Sequence, residues 1–265
     1  MRRLDGAAPE AGLLRAAGEA LARIAGLAPS PVLAGRLLRA APLLPGCWPG
    51  PEHHDAPGWA ALLDAVTVQQ TRLFRHPQQC LALGARLPAL AAAARAQGRP
   101  LRLLSAGCAT GEEVFTLAAL AQEVRLATPG LAVEVLGVDL CRPALGAAAR
   151  GVIAPGLGAP LEHVPDAMRR WFLGAGGEAA LHPALREMAR FRRANLLQGL
   201  PGEAPFDVVM CRNVLVYLTD AARRRVLGHL LALLRPGGVL ALGPTDRAPP
   251  GAEALAEGLL GAGHG

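Results

Sequence analysis

The chain has 265 residues, 27 of them arginine and none lysine, against 21 acids, giving a formal net charge of +6. The composition leans so heavily on Ala, Leu, Gly, Pro and Arg that a pI near 9.9 partly reflects coding bias. Aromatics make up 3% of the residues and the arginines are scattered, which argues against a nucleic-acid groove of clustered cations and stacking platforms.

The length suits one α/β domain and a smaller helical one. No uncharged apolar stretch reaches the ~20 residues of a membrane-spanning helix, so no membrane insertion is expected. Arg2-Arg3 is followed by Asp5, Glu10, Arg15 and Glu19 rather than an apolar core, so no secretion signal is read there. The expectation is a cytoplasmic monomer. Cys47, Cys80, Cys108, Cys141 and Cys211 contain no C-x-x-C pair and read as reduced, non-metal thiols. His53-His54 stands in a Pro/Gly-rich stretch without a matching ligand pair; exposed loop residues and no metal are expected.

Leu14, Ala17, Leu21, Ile24 and Ala28 recur at helical spacing, and a second helix is predicted over about 32–40. A Pro/Gly-rich loop follows over 41–58, then helices over about 59–66 and from Pro77 to Gln97, the last ended by Gly98 and Pro100. Predicted domains are therefore residues 1–98, helical, and 99–265. The second begins with a strand at 101–104, a helix at 112–127, a strand at 133–138 ending on Asp139, and a helix at 142–150. Residues 151–190 read as irregular, with a helix near 167–172 and a short extended stretch before Phe191. A strand at 206–210, a helix at 219–234, the turn Pro236-Gly-Gly238 and a strand at 239–242 complete it. Strands alternating with helices predict an α/β fold, a doubly wound and mostly parallel sheet.

In such sheets ligands bind beyond the carboxyl ends of the strands. Gly107-Cys-Ala-Thr-Gly111 lies between a strand and a helix, where small residues let a backbone approach a nucleotide. Glu112 and Glu113 open that helix, and two carboxylates there disfavour a pyrophosphate and suit a cationic nucleoside. Asp139, ending the next strand, can accept from both ribose hydroxyls. Asn195, one of only two asparagines, can present its amide to an adenine edge or simply close an Asx-turn. Together these describe S-adenosylmethionine binding.

Ser105-Ala-Gly-Cys-Ala-Thr-Gly-Glu-Glu113, Gly137-Val-Asp139, Asn195-Leu-Leu197, Phe206-Asp-Val-Val-Met-Cys-Arg-Asn-Val-Leu-Val-Tyr217 and Leu234-Arg-Pro-Gly-Gly-Val-Leu240 follow one another. With Thr67-Val-Gln-Gln-Thr-Arg-Leu-Phe-Arg-His-Pro77 ahead of them, the series resembles the CheR family, S-adenosylmethionine-dependent chemoreceptor glutamate methyltransferases with a class I, Rossmann-like catalytic domain behind a small helical one. The resemblance implies that Gln69, Thr71, Arg75, Gly107, Glu113, Asp139, Asn195, Leu196, Arg212 and Asn213 line the cofactor. It places Arg75 and Tyr217, the single tyrosine, at the sulfonium methyl as catalytic residues, with S-adenosylhomocysteine as product. Departures are Gln69 for the usual asparagine, Leu73 for an aromatic, Gly243-Pro-Thr-Asp246 for Gly-His-Ser-Glu, and a tail read as lacking the strand that closes the sheet.

The implied partner is the acidic helical region of a chemoreceptor or receptor-like signalling protein; Arg23, Arg36 and Arg39 either form a modest cationic surface for it or merely solubilise short Ala/Leu helices. Two other readings stay open: a catalytically weak S-adenosylmethionine-binding signalling module, and a class I methyltransferase with another substrate.

Overall fold

The computed structural model describes residues 11–48, 50–153, 160–175, 178–249, 252–256 and 258–261. Arg2, Arg3, Asp5 and Glu10 lie outside the described residues. Two compact units result: residues up to Thr67 with Tyr217–Arg224, and Val68–Val216 with Arg225–Gly265.

In the first unit, α1 (Ala11–Ala25) buries Ala17, Ala20, Leu21 and Ile24 along one stripe, as its spacing requires. α2 (Pro31–Arg39) starts where Ser30 Oγ accepts from Leu33 N at 3.1 Å and Pro31 occupies the first turn. The stretch expected to be a loop contains a 3₁₀ helix, Ala41–Gly46, in which Pro42 and Pro45 disfavour a continued α-helix. α3 (Pro57–Val66) buries Trp59, Leu62 and Leu63. His54, expected to be exposed, is 7% exposed, whereas His53 and Asp55 beside it are open.

The second unit begins earlier than residue 99. α4 (Pro77–Ala96) turns Cys80, Leu83, Leu87, Ala91 and Ala94 into the core that surrounds the central sheet, so it belongs to that layer. Stripping one of these leucines to alanine would cost ~2–5 kcal/mol, which is why the helix stays with the sheet. β1 (Leu101–Ala106), α5 (Glu112–Ala127), β2 (Val133–Asp139), α6 (Arg142–Arg150), β7 (Phe206–Cys211) and α8 (Asp220–Ala232) appear close to expectation. The described residues between α6 and β7 hold more regular structure than expected. β3 (Val152–Ile153), β4 (Phe172–Ala175) and β5 (Glu178–Leu181) form a small antiparallel sheet, followed by α7 (Pro183–Met188) and β6 (Ala189–Arg193). Residues 166–171 are a 3₁₀ helix, anchored where Trp171 Nε1 and Arg170 both donate to Glu123.

The main sheet runs β6-β2-β1-β7-β8-β10-β9, with β8 at Leu234–Leu242, β9 at Glu253–Ala256 and β10 at Leu259–Gly261. β6, β2, β1, β7 and β8 are parallel, and β10 is antiparallel to both neighbours. The tail therefore does supply the closing strand, with Leu259 and Leu260 buried. The expected turn at Pro236-Gly-Gly238 is instead absorbed within β8, beside a register shift against β7. A Cβ on Gly238 would meet Arg235 O at 2.9 Å and Asp207 O at 3.0 Å, so only glycine fits that bend. β1 is flanked by β2 on one side and β7 on the other, and the winding reverses between them. The carboxyl ends of these strands are the place for a ligand.

Candidate functional site

Beyond β1, the chain makes the tight turn Gly107–Gly111 with positive φ at Gly107 (85°), Ala109 (48°) and Gly111 (99°). Glycine at 107 answers a packing demand as well: a Cβ would lie 2.3 Å from Val214 Cγ2, inside the loop after β7. A ligand's approach is thus not its only reason. The turn lifts Ala109 N to donate to Asp139 Oδ2 at 2.9 Å, and Cys141 N donates to Oδ1 at 2.9 Å. Burial pushes the Asp139 carboxyl above its ordinary range, while these amides and Gln69 pull the other way. Gln69 thereby acts on Asp139, alongside the backbone amides that already donate to it.

Glu113, in the first turn of α5, is held from two sides. Ser105 Oγ at the end of β1 donates to Oε1 at 2.8 Å, and Arg212 Nε just after β7 donates to Oε2 at 2.8 Å. The Arg212 side chain is 1% exposed and that of Glu113 10%. Burial works against the guanidinium's charge, and Glu113 together with Cys80 outweighs it. Arg212 Nη1 also donates to Arg75 O and, at 3.2 Å, to Gln79 Oε1, while Gln79 Nε2 donates to Leu242 O at 2.9 Å. Arg212 therefore serves as the support of Glu113 rather than as a solvent-facing ligand contact. Ser105 and Gln79, which the sequence reading did not single out, complete that support. The only sequence signals were a hydroxyl closing an apolar strand and an amide in the first turn of an Ala/Leu-rich helix. Glu112 behaves differently: burial raises its carboxyl, partly offset by the Thr110 hydroxyl donating to Oε2 at 2.7 Å. The double-acid argument against a pyrophosphate is thus weaker than its formal charge suggests, since one acid is compensated by Arg212 and the other is driven toward its neutral form.

Asn195 is 3% exposed and closes a turn through Oδ1, which accepts from Leu197 N at 3.1 Å. That oxygen is committed to the Asx-turn, and Leu196 follows in the same 3₁₀ turn. Asn213 sits in the left-handed region at φ 57°, with its side chain beside the His76 imidazole. Thr71 and Arg75 are half-buried on the segment leading into α4, with Arg75 Nη1 donating to Gln70 O at 3.1 Å. Tyr217 ends the loop after β7 but falls in the helical unit, where its carbonyl accepts from Ala28 N at 2.8 Å.

Within the α/β unit the donor set fits a cationic nucleoside. Asp139 offers acceptors for hydroxyls and Glu113 for an ammonium. In the helical unit Arg23 forks onto Glu52 at 2.9 and 2.8 Å, which neutralises that cation, while Arg36 keeps its charge and donates to Thr67 O at 2.9 Å.

Residues 69–257 match the family described as CheR methyltransferase, SAM binding domain. Chemotaxis protein methyltransferase 1 of Pseudomonas aeruginosa is 34% identical over 193 residues, covering 70% of this chain and 68% of that protein. The protein of the same name from Vibrio cholerae is 31% identical over 193 residues, 70% of this chain and 67% of its own length. The probable biofilm formation methyltransferase WspC of P. aeruginosa is 34% identical over 200 residues but is spanned over 43% of its length.

Proposed function

The chain belongs to the CheR methyltransferase family, and from that premise we propose that it methylates glutamate side-chain carboxylates of a chemoreceptor-type signalling protein. S-adenosylmethionine is the cofactor of this domain, and methylation in chemotaxis signalling is the activity its relatives' names carry. The observation that supports the reading most is the buried Ser105–Glu113–Arg212 arrangement beside Asp139 at the carboxyl ends of β1, β2 and β7.

When bound, S-adenosylmethionine supplies a methyl group on a sulfonium sulfur that departs as a neutral thioether. Asp139 and Glu113 would hold its ribose and ammonium ends. Gln69, Thr71, Gly107, Asn195, Leu196 and Asn213 would shape the rest of the cradle, with Arg212 fixing Glu113. No general base is required, because a substrate carboxylate is already ionised at pH 7. What the chain must do is position that carboxylate and keep water away, since opposite charges are consumed in the step. Arg75 can clamp a carboxylate through its planar fork of donors. The family resemblance assigns Tyr217 to the reacting centre as well. We place the reaction in the cytoplasm, on an acidic helical segment of the receptor.

The catalytically weak alternative drew on the altered flanking residues and on a tail without a closing strand, and β10 removes the second of these supports. The direct test is to incubate the purified chain with radiolabelled S-adenosylmethionine and membranes of its source organism. Label on a receptor-sized band should be released by mild base, as a carboxyl methyl ester is; base-resistant label would refute carboxyl methylation. Arg75→Ala and Tyr217→Phe should each lower turnover by about 100-fold with little change in cofactor affinity. Wild-type rates in both at saturating substrate would remove these residues from the reacting end.

A further inference from the structure

The turn ahead of α3 gathers side chains that methyl transfer does not use. Among the described residues, His53, His54 and Asp55 are the one group of three histidine, cysteine or acidic side chains whose ligand atoms all lie within 4.8 Å of one another. Asp55 Oδ2 is 3.3 Å from His54 Nε2 and 3.9 Å from His53 Nδ1. Around tetrahedral zinc, with bonds of ~2.0–2.2 Å, neighbouring ligand atoms stand roughly 3.3–3.5 Å apart. One of the three edges already has that length; the two that involve His53, at 3.9 Å to Asp55 and within 4.8 Å to His54, shorten by rotation of that exposed ring. We propose that His53-His54-Asp55 is a transition-metal site of two imidazoles and one carboxylate, suited to zinc(II).

The backbone prepares the turn. His53 N donates to Pro51 O at 2.8 Å and Ala56 N to His53 O at 3.0 Å. Glu52, next in the chain, is gripped by two of the Arg23 guanidinium nitrogens, and Pro51 and Pro57 restrict the ends. The two rings already lie with centroids 4.4 Å apart. His54 is buried, so it has little rotamer freedom left to lose, while His53 and Asp55 face solvent and leave an entry path and a position for water. His53 Nδ1 accepts from Asp55 N at 3.2 Å, a long hydrogen bond that a metal–nitrogen bond would replace. Imidazole suits zinc, nickel and copper, and a carboxylate adds the charge that a bare pair of histidines lacks. The sequence reading looked for a second ligand pair elsewhere in the chain; the third ligand is the adjacent residue.

The untagged, metal-stripped full chain is titrated with zinc(II) by calorimetry and with cobalt(II) by visible absorption. One ion per chain is expected, with a cobalt d–d band that zinc abolishes and affinity falling as pH drops through the imidazole range, because the ligands must be deprotonated. His53→Ala and Asp55→Asn alter exposed side chains and should fold as the parent does, checked by circular dichroism, yet each should weaken binding by about tenfold or more. Absence of stoichiometric binding in the parent overturns the site. So does binding unchanged in both variants, which would belong to another histidine or to one of the five buried thiols.

Discussion

At the residue scale, the centre of the α/β unit is one ion pair rather than a row of ligand-facing groups. Glu113 and Arg212 are 99 positions apart in sequence, yet each is the other's main compensation in a buried setting. Removing one partner of such a pair leaves an uncompensated charge and costs ~3–5 kcal/mol, far more than a surface pair returns. Glu113→Gln should therefore lower stability in urea by that amount, and more than Ser105→Ala, which loses a single hydrogen bond to a charged acceptor, ~1.5–3 kcal/mol. A smaller loss for Glu113→Gln than for Ser105→Ala would show that the pair is not the anchor.

Glu112 should respond in the opposite sense. Its folded carboxyl titrates above its unfolded value, so the folded state holds the proton more tightly. Stability then declines as pH rises from the unfolded carboxylate value through the raised folded one. Glu112→Gln should stabilise the protein at neutral pH, with a gain that shrinks as pH falls through the carboxylate range. Two-state denaturation series at several pH values would check it, and a gain independent of pH would exclude the carboxyl as its source. The acids and asparagines were legible in sequence because they are rare against an apolar background. The partnerships were not, since Ser105 and Arg212 meet Glu113, and Gln79 meets Arg212, only through the fold.

At the scale of elements, sequence reading succeeded where periodicity runs long. α1, α4, α5 and the buried β1 and β7 carry enough repeats of 3.6 or enough consecutive apolar residues to declare themselves. It failed where strands are short. β3, β9 and β10 have two to four residues, too few to establish alternation, and their pairing depends on neighbours distant in sequence. α4 was recognised as a helix but grouped with the helices before it, because its core-facing stripe does not reveal which core it enters. The turn after β1 was recognised from its glycines, though the contact that demands Gly107 comes from Val214. Gly107→Ala should consequently suffer twice, from φ 85° and from the overlap with Val214, losing about 1–3 kcal/mol from the backbone term alone. Adding Val214→Ala should restore only the packing part. Full recovery of the parental melting temperature in the double variant would mean that the backbone conformation costs nothing.

At the scale of the whole chain, a charge of +6 made only of arginine says little until its partners are known. The Arg99–Asp207 contacts and the Arg102–Glu134 and Arg102–Glu203 bridges show cations spent within the fold, and the Arg23–Glu52 fork shows the same in the helical unit. If the acceptor is an acidic helical segment, encounter depends on the cations not so spent, through fields that fade beyond a Debye length of about 10 Å at 0.1 M salt. Glu52→Gln releases Arg23 and should quicken methylation of an acidic receptor fragment at low ionic strength. Arg39→Gln, at an exposed position on α2, should slow it. Both changes should converge on the parental rate at high salt while cofactor affinity, measured by calorimetry, stays constant, because steering acts on the association rate rather than on the bound complex. Rates insensitive to Glu52→Gln and Arg39→Gln at low salt would mean that the helical unit's charge does not guide the acceptor, and would transfer that task to the α/β unit.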